Sequence, residues 1–304
     1  MKLMKSIDFP ETTTAVCAVE KAAARALILN DFEYAQTAFA KDPIADTYQY
    51  EITQGDKKLV FVGSLHTNKL EHPVFEQIQN IFNQTHPDMV YVEGYTNLAA
   101  RHETVRIRLQ NKTVDEVKVE GESHFTLKLA VEADVDFDSP EPPFSEEVAS
   151  LVSAGYTKSD IYRFYQYRIV VQYQREQRDQ NKEVSDAGCR SYLTPFLKLF
   201  QEESGWSDVD LHTFETQLFS ELEITNTQKY TDLVTPVPVE GQYTSILNEI
   251  SSRSSDYRDA HIFDQLADGL KKYDSLFNVY GSAHAVRLEP ALRALMQNGQ
   301  KNVQ

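Results

Sequence analysis

Two phrases of this chain nearly coincide: FVGSLHTNK at 61–69 and VYGSAHAVR at 279–287. Each is a short apolar run, then Gly-Ser, one further residue, then His. An apolar run of this length, closed by turn residues, reads as a buried strand of a parallel sheet. Glycine just past a strand suits a backbone that must turn tightly or let another group come close. The repeat therefore predicts one strand-to-helix turn used twice, with His66 and His284 each near the start of a helix and both facing one pocket. Unpaired N–H groups at a helix start would lower an imidazole pKa and keep the ring neutral.

Working outward from these phrases, YQYEIT, QGDK and KLVFVG read as strand, turn, strand. EHPVFEQIQNIFNQTHP has a helical period through Phe75, Ile78 and Phe82, and DMVYVEG is a second buried strand. NLAARHETVRIRLQ and GESHFTLKLAVEAD read as helices, and VDFD as a brief strand ending in the loop SPEPP. The texture then changes. Residues 145–235 are rich in Tyr, Gln, Arg and Glu and show helical periodicity with no convincing strand. Alternation resumes near TSILNEI and runs through YRDAHIFDQLADGLKKY, the strand SLFNVYG and the helix AVRLEPALRALMQ. Near the start, TTTAVCAVEKAAARALILNDF offers threonine N-caps ahead of a helical pattern. The expected architecture is one α/β domain over 1–304, a mostly parallel central sheet flanked by helices. Its core is 45–144 and 236–304, a helical insertion at 145–235 caps the carboxyl ends of the strands, and a packing helix occupies 12–31.

Composition narrows the function classes. The chain of 304 residues carries 46 Asp+Glu against 30 Lys+Arg, a formal charge of −16, which repels nucleic-acid phosphates and anionic lipid. No nucleic acid and no membrane are expected as partners, since the one long apolar-looking stretch is broken by Glu20, Lys21 and Arg25. Cys17 and Cys189 have neither metal-type spacing nor a disulfide framework, so a cytoplasmic location is expected.

Ligands of open parallel sheets sit beyond the carboxyl ends of the strands. Those ends deliver Ser64 and His66, then Glu93, then Asp138 with Glu141 just past it, then Ser282 and His284. A single Gly-Ser-x-His is weak, because all its residues are ordinary in turns; the pair, with Glu93 on a third strand, is stronger. Arg258 stands beside Asp259 in SSDYRDAHIF, where an Arg-Asp pair reads equally as a surface ion pair or as a group at the pocket rim. Arg287 falls three residues after His284, on one helix face, either reaching a substrate anion or solvated. His72, His86, His102, His124, His212 and His261 read as boundary or helix-face residues. The aromatics Tyr162, Phe164, Tyr165 and Tyr167 read as core, or as an apolar wall if the insertion covers the pocket. GESHF lacks the second glycine of a serine-hydrolase elbow.

Taken together, Gly63 with His66, Glu93, Gly121 with Glu122, Arg258 with Asp259, and Gly281 with His284 resemble the TraB/PrgY/GumN (TIKI) group. That group shares a superfamily with the erythromycin esterases and the ChaN-like haem-binding proteins. The resemblance covers about 59–141 and 240–296. It implies an α/β core with a helical cap, and strands 59–63 and 276–280 parallel and close together. It further implies a polar site with His66, Glu93, Glu122, Arg258 and His284 as catalytic residues. One expectation is a hydrolase cleaving an ester, lactone or peptide bond in a small molecule or peptide. If a divalent ion (zinc, manganese or cobalt) assists, His66, Glu93 and His284 are its ligands, Arg258 stabilises the oxyanion, and Glu122 orients a histidine or shuttles a proton. Without metal, one histidine is the general base. The alternative is a non-catalytic protein of the same fold that binds haem or a signalling peptide.

Overall fold

The computed structural model describes residues 21–29, 47–94, 98–204, 206, 213, 216, 227–236 and 245–298. β1 (Thr47–Gln54) alternates buried and open positions toward its end, the pattern of an edge strand with one covered face. A two-residue turn, with Gly55 at φ +56°, returns the chain as β2 (Lys57–Ser64) in antiparallel register. Helix α1 (Val74–Thr85) leads to β3 (Met89–Val92); α2 (Leu98–Gln110), the short α3 (Val114–Lys118) and α4 (Glu122–Glu132) lead to β4 (Asp136–Asp138). The Thr113 capping box that starts α3 is legible in TVDE, yet α3 is absent from the sequence expectation.

Four helices fill the insertion among the described residues: α5 (Phe144–Ser153), α6 (Lys158–Asp179), α7 (Asp186–Ser204) and α8 (Thr227–Val234). The chain then runs through the long helix α9 (Ile246–Lys272), β5 (Ser275–Gly281) and α10 (Ser282–Asn298). The sheet order is β1-β2-β5-β3-β4, antiparallel only at β1. Strands 59–63 and 276–280 are thus parallel neighbours.

Period-two alternation divides the core between two faces. Leu59, Phe61, Leu276 and Tyr280 pack on α9 and α10 through Ile262, Phe263, Leu266 and Leu288. Val60, Val62, Val90, Phe277 and Val279 pack on α1 and α4 through Phe75, Ile78, Phe82 and Phe125. Burial on both faces is why β2, β3 and β5 read as nearly continuous apolar runs, broken inside β5 by the buried Asn278, whose amide donates to Val60 O at 2.9 Å. The insertion helices form a third cluster that includes Tyr162, Phe164, Tyr165 and Tyr167. It takes in Leu247 and Ile250 of α9, beyond residue 235 where the insertion is expected to end.

Of the packing helix expected at 12–31, only 21–29 lie among the described residues. Residues 21–25 are helical there, with Ala24 in the core and Lys21 and Arg25 paired to Asp264. Cys17 and His212 lie outside the described residues. No helix among those described is long and apolar enough to cross a membrane.

Candidate active site

β2, β5 and β3 end together, and their last residues floor a cleft of about 750 Å³. Parallel registration does this: Ser64 lies opposite Gly281, and the Glu93 N–H donates to Val279 O, extending β3 by one residue. The two Gly-Ser-x-His phrases are one step out of register, since Gly63 pairs with Tyr280 and not with Gly281. With side chains alternating by residue, the two glycines face opposite sides of the sheet. A Cβ on Gly63 would lie 2.5 Å from Ala285 Cβ and 2.8 Å from Ser282 Cα, so Gly63 lets α10 close onto the sheet. A Cβ on Gly281 would lie 3.0 Å from His66 Nε2 and 3.2 Å from Glu93 Oε2, so Gly281 leaves room for the site.

The expectation of one turn used twice is therefore corrected. His284 sits in the first turn of α10, but His66 lies in the irregular segment between β2 and α1. Pro73 disfavours helix at the residue before it. Two N–H groups of the segment are taken by carboxylates: Thr67 N–H donates to Glu122 Oε1 at 2.8 Å and Asn68 N–H to Asp179 Oδ2 at 3.1 Å.

Both histidines reach the same carboxylate. Glu93 Oε2 is 3.4 Å from His66 Nε2 and accepts from Gly281 N–H at 2.6 Å. Glu93 Oε1 is 3.6 Å from His284 Nε2 and accepts from Arg258 Nη2 at 2.9 Å. Each imidazole has a second carboxylate behind it. His66 Nδ1 faces Glu122 at 3.8 Å, and His284 Nδ1 donates to Asp259, which is also ion-paired with Arg287. Arg258 is held by Glu141 through Nε at 2.8 Å and Nη2 at 2.7 Å. That guanidinium serves two carboxylates and fixes Glu93 in place.

The electrostatics follow from these contacts. Burial alone would push the His66 imidazole down, but the Glu93 charge and the contacts with Glu122 outweigh it and raise His66 to about 9. The neutral ring expected from a helix start is thus reversed, because the ring stands between two carboxylates and not at a helix end. Burial would likewise raise Glu93, yet His66, His284 and Arg258 hold it well below the ordinary carboxylate range. Glu93 is held in its charged form by these three cationic partners.

Arg287 is corrected outright. It is neither solvated nor in the cleft but wholly buried, donating from Nε to Leu29 O at 2.6 Å and pairing with Asp256 and Asp259. Asp259, fully buried, and Glu141 join the site and were not among the candidate catalytic residues. Their signal was partly legible: Arg258 and Asp259 precede Ile262, Phe263 and Leu266 at helical spacing, which puts them on the buried stripe of α9 and not on its surface. Arg287 precedes Ala291 in the same way. His124 lines the cleft, where burial first of all lowers it to about 4, whereas His102 stacks on Phe137.

His66, Glu93 and His284 have the donor chemistry for a divalent ion. However, the two imidazoles address different oxygens of Glu93, and both oxygens already accept from Gly281 and Arg258. Among the described residues no group of three or more His, Cys, Asp or Glu is disposed to hold a metal ion. Comparison with protein-family models, with curated proteins and with solved structures finds no match.

Proposed function

We propose that this chain is a hydrolase of the TraB/TIKI/erythromycin-esterase type, cleaving an ester, lactone or amide bond in a small molecule or peptide. The carrying observation is that one partly buried carboxylate, Glu93, held charged by its cationic neighbours, lies between the Nε2 atoms of two histidines in a cleft of ligand size. The two rings differ in kind. His66, 37% exposed and held protonated, is the acid; His284, fixed by Asp259 with Nε2 turned to the cleft, is the base.

In the reaction so read, His284 takes a proton as water attacks the carbonyl carbon. The bond to the leaving oxygen or nitrogen breaks, and His66 delivers its proton to that atom; solvent restores both rings. Arg258 holds Glu93, and Glu122 holds His66. Helix α6, whose residues line the cleft opposite the strand ends, serves as the cap. The acidic balance of the chain argues against nucleic acid as the substrate.

Turnover of short-chain 4-nitrophenyl esters and a lactone tests this. His284→Gln and His66→Gln should each lose on the order of 10²-fold or more in kcat/KM. Undiminished turnover in a folded His284→Gln protein would overturn the proposal. Elemental analysis of protein purified without added metal, then chelation, decides between this scheme and a metal-assisted one. A stoichiometric zinc, manganese or cobalt ion whose removal abolishes turnover would replace the acid–base roles of the two histidines.

A further inference from the structure

Helix α6 forms the wall of the cleft opposite the strand ends. Tyr165, Arg168, Gln172 and Arg175 recur at helical spacing and all line it. The charges around this cleft are unevenly satisfied. Its carboxylates are partnered: Glu93 and Glu141 by Arg258, Glu122 by Ser64 and Thr67, Glu147 by Ser254, Glu120 by Lys112, and Glu176 by Tyr192 and Gln172.

The two arginines of the wall are not. Neither Arg168 nor Arg175 has a carboxylate within ion-pair distance among the described residues, in a chain with an excess of sixteen negative charges. Arg168 lies over the Phe164 ring at 5.5 Å, and Arg175 Nε is buried with no hydrogen-bond partner. A buried guanidinium N–H without an acceptor costs free energy, and a shift of the side chain onto an anion entering the cleft would relieve it. Arginine's planar fork matches a carboxylate or phosphate.

We propose that Arg168 and Arg175 form a subsite for an anionic group of the substrate, a carboxylate or phosphate borne on the ester or amide. This rests on the hydrolytic reading of the cleft and adds its substrate class: an anionic ester or amide, not a neutral one. Although carboxylates line the cleft, each already accepts a hydrogen bond, whereas the two arginines of the wall have no carboxylate partner among the described residues. Binding the anion on α6 would set the scissile bond toward the strand ends, where His66 and His284 stand.

The test compares mono-4-nitrophenyl glutarate with the neutral 4-nitrophenyl valerate. It uses the wild-type chain, the double variant Arg168→Gln/Arg175→Gln, and Arg163→Gln, a charge on the same helix that does not line the cleft. The wild type should favour the glutarate ester by about 10-fold or more, and the double variant should bring the ratio near one; Arg163→Gln should keep the wild-type ratio. Calorimetric titration with glutarate and with inorganic phosphate gives a readout independent of turnover and identifies which anion the fork prefers. Affinity for the preferred anion should fall about 10-fold or more in the double variant. If neither ester turns over but anion binding still depends on the two arginines, the hydrolase reading fails and the subsite stands. Equal ester ratios and equal anion affinities in wild type and double variant would overturn the subsite, as would a wild type that binds neither anion and prefers neither ester. Should circular dichroism show the double variant unfolded, Arg168→Gln and Arg175→Gln singly are read by the same criteria.

Discussion

Adding one methyl group to either glycine of the repeated phrase should damage the protein in two different ways. In Gly63→Ala the new Cβ meets Ala285 Cβ at 2.5 Å, Ser282 Cα at 2.8 Å and Tyr48 O at 3.1 Å, and two of those three are backbone atoms. Backbone in a packed strand–helix contact cannot step aside, so α10 must lift from the sheet. Overpacking of this kind costs about 1–3 kcal/mol. At roughly 2–4 °C per kcal/mol, the melting temperature should fall by about 2–12 °C. In Gly281→Ala the nearest atoms are His66 Nε2 at 3.0 Å and Glu93 Oε2 at 3.2 Å, the ends of side chains, one of them on a partly exposed segment. These can move by a few tenths of an ångström, so the packing should lose little.

The site, in contrast, should not tolerate it. The added methyl pushes on the two groups whose contact raises His66; a full misplacement of about 1 Å costs about 10²-fold in rate, and the smaller shift here should cost less but remain measurable. The assay is a pair of measurements on each variant: thermal unfolding, and the His66 titration followed by NMR. Gly281→Ala should bring the imidazole down from about 9 toward its ordinary 6.5, with a melting temperature nearly unchanged at pH 9.5, where the proton on His66 no longer contributes to stability. Gly63→Ala should melt early and keep the raised imidazole. A Gly281→Ala protein with an unshifted imidazole, or a Gly63→Ala protein as stable as wild type, would refute the division of labour between the two glycines.

His66 also predicts a pH dependence of stability. Its folded pKa lies above the unfolded 6.5, so its contribution is complete below pH 6.5, fades above that and is lost as pH rises through about 9. Denaturant unfolding at pH 6 and pH 9.5 should show this slope in wild type and a smaller one in His66→Gln; equal slopes would contradict the assignment. Asp259→Asn keeps the shape of the site but takes one carboxylate from buried Arg287 and frees the His284 tautomer. Breaking a buried pair costs about 3–5 kcal/mol. Unfolding and turnover should both register the change, with the kcat loss of order 10²-fold or more; a variant matching wild type in both would remove Asp259 from the site.

The sequence by itself determined the elements and most of the strand ends. Buried parallel strands must be apolar on both faces, so LVFVG, MVYV and LFNVYG announce themselves, and whatever follows each one must lie at the ligand-binding edge. Hence Glu93 and the two histidines are legible in the chain alone. Which strands are neighbours was not legible from periodicity: β5 slides between β2 and β3 from more than 180 residues away, and only the assembled sheet sets its register. That register alone gives the two like glycines unlike duties. Charged residues show the same limit. Helical spacing puts Arg258, Asp259 and Arg287 on buried stripes, but which acids receive the two guanidinium groups is decided by tertiary packing, which supplies Glu93, Glu141 and Asp256. The proton on His66 is of this kind too: it depends on Glu93 and Glu122, 27 and 56 positions away in sequence and brought beside one ring only by folding.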